Sequence, residues 1–132
     1  MKTPELLEKA AFAAGLEFRF RSRTPAGLFC LIPLPKGGAS WGFWNPLKDD
    51  SQALWLAIRI QASVSVDISL GVRVVALGVC GQRRVDVLEP LTEDLAATGR
   101  RALVRAAAAV GATMTPASKP LLQQGGDSSH LC

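Results

Sequence analysis

The stretch Ser63-Val64-Ser65-Val66-Asp67-Ile68-Ser69-Leu70 constrains this chain more than any other, because aliphatic and polar residues alternate along it without a break. Side chains repeating every second residue share one side of a strand and no single side of a helix, so the stretch predicts a strand with one apolar and one polar face. Directly after it, Val72 to Val79 is apolar apart from Arg73 and Gly78, the pattern of an inner strand. Cys80-Gly81-Gln82 can turn the chain into a further strand, Arg84 to Leu88, which Pro90 stops. Such a meander has an apolar face that it cannot bury alone, so the rest of the chain has to cover it.

Helices supply that cover. Thr3-Pro4-Glu5 is a helix start: Thr3 can cap free amides, Pro4 suits the first helical position, and Glu5 faces the positive end of the dipole. Leu6, Ala10, Ala13 and Ala14 keep helical spacing up to the stop at Gly15, which predicts a helix over Pro4 to Ala14. Leu16 to Arg21 alternates as a half-buried strand, and Thr24-Pro25-Ala26-Gly27 turns it toward a partner strand, Leu28 to Ile32. Pro33, Pro35, Gly37 and Gly38 end that strand in a loop reaching Ser40. A second helix spans Asp50 to Ile60, and Thr92-Glu93-Asp94 opens a third that ends near Gly111, with Gly99 as a weak point in it.

The elements add up to an α+β fold: one domain over 1–114, with a largely antiparallel sheet of about five strands and three helices in a sandwich-like α/β/α layering. The inner strand at Val72 to Val79 favours helix cover on both sheet faces, whereas the serines of Ser63 to Leu70 favour solvent on one. Residues 115–132, rich in Pro, Gly and Ser, have no apolar period and are expected to form a disordered tail. A mean hydropathy of +0.22 with a net charge of +4 excludes a wholly disordered chain. The first residues lack the apolar segment of an export signal. No apolar run approaches the roughly 18 residues of a membrane span. Three widely spaced cysteines, Cys30, Cys80 and Cys132, argue against a disulfide framework and for the cytoplasm.

Chemistry is hard to place. His130, the one histidine, sits in the expected tail, so no histidine-based triad is credible. Cys30 and Cys80 fall in apolar strands, where thiols are inert. Phosphate-binding glycine loops are absent from the sequence. The chain is therefore expected to be no enzyme and to carry no cofactor and no metal.

Trp44-Asn45-Pro46-Leu47-Lys48-Asp49-Asp50 is the most distinctive motif. Asn45-Pro46 makes a turn, Asp49 caps the second helix, and Asp50 favours its positive end. A divalent metal at Asp49 and Asp50 is disfavoured, since adjacent helical residues point about 100° apart. Trp41 and Trp44 suit core packing better than ligand stacking. This motif, continued through Trp55-Leu56-Ala57, resembles the phage ABA sandwich domain family, short proteins of tailed phages and prophages named for an α/β/α layering. Arg100-Arg101-Ala102-Leu103-Val104-Arg105 and the small residues up to Gly111 are similar to that family's closing helix. The resemblance implies a fold and a phage origin, and no reaction.

Two arginine rows remain. Arg19, Arg21 and Arg23 alternate on one strand, and Arg101 and Arg105 lie four apart on one face of the last helix beside Arg100. Rows of this kind suit phosphate contacts, but the aromatic interleaving of a stacking platform is missing from them. Solvated faces are the plainer reading. The expected function is that of a phage or prophage accessory protein acting by protein–protein contact in the host cytoplasm, with interference with a host or defence protein as one form. The partner is unknown, and a weak nucleic-acid-binding domain using the arginine rows is the alternative. Trp41, Trp44, Asn45, Asp49, Asp50, Arg19, Arg21, Arg101 and Arg105 form the candidate surface.

Overall fold

The computed structural model describes residues 3–24 and 27–114, with only the backbone described over 19–24. The turn tip at Pro25 and Ala26 and the expected tail over 115–132, with His130 and Cys132, lie outside the described residues. The described elements are α1 (Thr3–Ala14), β1 (Phe18–Thr24), β2 (Gly27–Pro33), β3 (Ala39–Trp44), α2 (Asp50–Arg59), β4 (Ala62–Asp67), β5 (Gly71–Ala76), β6 (Val85–Glu89) and α3 (Leu95–Thr113). The α+β class, the three helices and the antiparallel pairing are those the sequence predicts. The strands divide into two sheets, ordered β1-β2-β3 and β4-β5-β6.

β3 is the strand that the sequence reading missed. Leu34 and Gly38 close a hairpin turn between β2 and β3, with the Leu34 amide donating to the Gly38 carbonyl (3.0 Å) and the Gly37 amide to the Leu34 carbonyl (3.0 Å). Gly37 and Gly38 adopt φ of +100° and +76°, a left-handed region that side-chain-bearing residues rarely enter. The glycines read as a flexible loop are thus the turn that returns the chain as β3.

Two strand ends also move, each for a visible reason. β4 stops at Asp67 rather than Leu70, because the Asp67 carboxylate accepts from the Ser69 (2.8 Å) and Leu70 (3.2 Å) amides, a side-chain turn that competes with the ladder. β5 stops at Ala76 rather than Val79, because the Leu77 and Gly78 amides both donate to the Ile60 carbonyl (3.1 and 2.9 Å).

Helix covers one face of each sheet. α1 packs on β1 and β2, α3 packs on β5 and β6, and α1 and α3 pack on each other. The seam is built from small residues, with Ala10, Ala11, Ala13 and Ala14 of α1 and Ala102, Ala106, Ala107 and Gly111 of α3 all buried. At Gly111 the helices come so close that an added Cβ would overlap the Lys9 carbonyl. β5 alternates, with Val72, Val74 and Ala76 buried and Arg73 exposed. It is inner in strand order and open on one face, which corrects the expectation of cover on both. Among the described residues no helix is long and apolar enough to cross a membrane.

Candidate functional site

The outer face of the first sheet carries an aromatic cluster. β2 and β3 pair in register, Phe29 opposite Phe43 and Leu31 opposite Trp41. Alternation sends Leu28, Cys30 and Trp44, each at most 1% exposed, to the helix side and leaves Phe29, Leu31, Trp41 and Phe43 on the other. Phe29 stacks on Trp41 with centroids 5.5 Å apart and meets Phe43 edge to face at 5.4 Å. Cross-strand aromatic pairs of this kind contribute roughly 0.5–1.5 kcal/mol each beyond area burial, which holds the cluster in one arrangement. Phe43 is nonetheless 47% exposed.

Trp41 and Trp44 therefore separate, being three apart on one strand. Trp44 is core, as expected. Trp41 belongs to the open face, which the expectation of packing at a helix start did not anticipate. Phe29 and Phe43 were missed altogether. The signal for them was an aromatic or apolar residue at every second position, Phe29 and Leu31 on one strand and Trp41 and Phe43 on the next.

The motif after Trp44 acts as a joint. The Asn45 amide donates to Gln52 Oε1 (2.6 Å), and the Leu47 amide donates to Asn45 Oδ1 (3.2 Å). Asp49 is the cap of α2, its carboxylate accepting the Gln52 amide (2.9 Å). Asp50 pairs with Arg100 (2.6 Å), whose Nε also donates to the Leu47 carbonyl (2.8 Å). β3, α2 and α3 are tied here, and the charges of Asp50 and Arg100 are committed to one another. Among the described residues no three His, Cys, Asp or Glu side chains converge as metal ligands.

Arg101 and Arg105 converge on Glu89, a carboxylate only 4% exposed, at 3.7 and 2.9 Å. A buried carboxylate needs such partners, so the pair compensates Glu89. Glu89, which sequence reading did not single out, thus explains the spacing of the row. Arg19 and Arg21 lie on β1, where side chains fall outside the described residues.

A cavity of about 240 Å³ is walled by Phe12, Leu16, Val79, Cys80, Val110 and Met114 among others. Its cations close helix ends: Arg59 Nε donates to the Ala14 carbonyl (2.9 Å) and Arg83 donates to the Thr113 carbonyl (2.9 Å), each opposite the negative end of a helix dipole. Cys30 is fully buried, which pushes its thiol up to about 12 and leaves it unreactive. Cys80 departs from expectation, being disulfide-bonded, so cysteine usage no longer argues for a reducing compartment.

No known protein-family model matches the chain, and neither a curated protein nor a solved structure matches it.

Proposed function

We propose that this chain is a phage or prophage accessory protein that acts without catalysis, by seating a host protein on the outer aromatic face of its first sheet. The observation that carries this reading is the cluster of Phe29, Trp41 and Phe43, ordered by mutual stacking, in which Phe43 is 47% exposed and Phe29 and Trp41 are half-buried. Aromatic side chains anchored in a rigid backbone dominate the energetics of protein interfaces, and an apolar patch on an open face marks a contact surface more often than a solvated one. The phage origin rests on the resemblance of Trp44 to Asp50 and of Arg100 to Gly111 to the ABA sandwich family. Arg101 and Arg105 share the Glu89 carboxylate, which leaves one net positive charge on that row for the nucleic-acid alternative.

The test is affinity capture from phage-infected cells, comparing the parent with Phe43→Ser and Trp41→Ser. A protein recovered by the parent and lost with both variants supports the reading. Tight, salt-dependent capture of DNA or RNA that both variants retain would overturn it. The proposed place of action is the host cytoplasm, whose reducing poise opens accessible disulfides. Alkylation of freshly extracted, denatured protein should then label all three cysteines, and a persistent bond at Cys80 would contradict that compartment.

A further inference from the structure

β4 is an edge strand of the second sheet, hydrogen-bonded to β5 on one side and to no strand on the other among the described residues. Natural edges are blunted by Lys, Pro, bulges or a covering element, because an open row of amides and carbonyls templates further pairing. The β3 edge is covered in this way: Gln52 takes the Phe43 carbonyl (3.2 Å) and the Asn45 amide (2.6 Å). Among the described residues β4 has no such device. Its sequence, Ala62-Ser63-Val64-Ser65-Val66-Asp67, holds no Lys, Arg or Pro, and its register with β5 runs unbroken from Ala62 opposite Ala76 to Asp67 opposite Gly71. Val64 and Val66 stand 50% and 63% exposed.

We propose that this edge is occupied by a second copy of the chain, β4 running antiparallel to its counterpart about a two-fold axis at Ser65, so that two three-stranded sheets become one. A two-fold contact requires that if residue i meets residue j, then j meets i. β4 satisfies this at every position. Ser65 meets Ser65 of the second copy, Val64 meets Val66, and Ser63 meets Asp67. Opposed residues share a face in an antiparallel ladder, so aliphatic side chains meet on the helix side and polar ones on the open side. No like charges oppose, because the single charge on the strand, Asp67, faces a serine. Exposed aliphatic residues flank the strand, with Ile68 and Leu70 in the following turn and Leu54 and Ile58 on α2, which packs beside β4. They widen the contact toward the area that a stable interface needs. The aromatic face belongs to the other sheet, so the inference stands independently of the proposed function.

Sedimentation equilibrium of the full chain should show a dimer with a dissociation constant below about 50 μM. Val66→Lys, which places a charge on an already exposed edge, should weaken the dimer at least about tenfold without lowering the melting temperature of the monomer. Ser65→Cys should form an intermolecular disulfide on mild oxidation, since cross-strand partners bring Cα atoms within about 4.5–5.5 Å, whereas Ser51→Cys on α2 should not. A parent that stays monomeric, a dimer indifferent to Val66→Lys, equal crosslinking of both cysteine variants, or a different protein seated on β4 would each overturn the proposal.

Discussion

The outer face of the first sheet shows Phe29, Leu31, Trp41 and Phe43, while the outer face of the second shows Ser63, Ser65, Arg73, Val75, Asp86 and Leu88. Both sheets have three antiparallel strands with helix on one side, so the contrast does not come from architecture. On the second sheet Arg73 and Asp86 form a two-pronged ion pair across β5 and β6, with Arg84 at 4.0 Å. Serines complete that face, and only Leu88 is both large and half-exposed on it. A solvated face needs nothing more. Among the described side chains, β2 and β3 of the first sheet place rings where the second sheet places charges, and apolar surface left in water forgoes about 25 cal/mol per Å² that a partner would recover. Exposure alone is therefore uninformative here, and what is exposed distinguishes the faces.

The comparison presumes that both sheets hang on one rigid seam between α1 and α3, and breaking that seam gives the largest effect. Gly111→Ala should destabilise the protein by about 3 kcal/mol, because the added methyl forces the helices apart. Gly99→Ala in the same helix, where an added Cβ meets nothing, should stabilise it by about 1 kcal/mol through helix propensity. Urea titration of both variants checks the opposite signs. Equal responses would mean that the seam is not close-packed at Gly111.

Next in size is the joint that fixes β3, and hence Trp41 and Phe43, against α2. Asp49→Ala should cost about 1 kcal/mol and Asp49→Asn much less, since an amide oxygen still accepts the Gln52 amide. Magnesium or calcium should leave the melting temperature unchanged. A rise with either ion, abolished by Asp49→Asn, would show instead that the carboxylates bind metal.

The smallest effect concerns the charged face itself. Hydrogen bonding from Arg73 holds the Asp86 carboxyl below its usual range. Its contribution to stability is thus complete above the ordinary aspartate value of about 3.9 and is lost as pH falls through the lower folded value. Screening by solvent keeps it small. Melting curves from pH 5 to about pH 2 should show a slightly shallower loss for Asp86→Asn than for the parent, and a steeper loss for the variant would contradict the pairing.

Legibility in the sequence followed the range of the interactions. Helix starts, governed by capping within one turn, were readable at Asp49 and Asp94, which caps α3 through the Ala97 amide. The alternation of Ser63 to Asp67 identified a strand but not its place at an edge, because period-2 patterning says which residues share a face and not whether anything covers that face. Likewise Arg101 and Arg105 looked like a free row until the fold brought Glu89, distant in sequence, against them. Trp41 and Phe43 became a surface only through their register with Phe29 and Leu31.

The central claim of the proposed function is that a host protein is held by the first sheet's rings and not by the exposed apolar residue on the outer face of the second sheet, Leu88. It is tested most directly by measuring, by titration calorimetry, the affinity of the captured host protein for the parent, Phe43→Ser and Leu88→Ser. Phe43 and Leu88 are 47% and 49% exposed, so the two variants remove comparable apolar exposure from opposite faces. The account predicts that Phe43→Ser weakens binding by about tenfold to a hundredfold, while Leu88→Ser stays within about twofold of the parent. An equal loss from both variants, or a loss from Leu88→Ser alone, would contradict it.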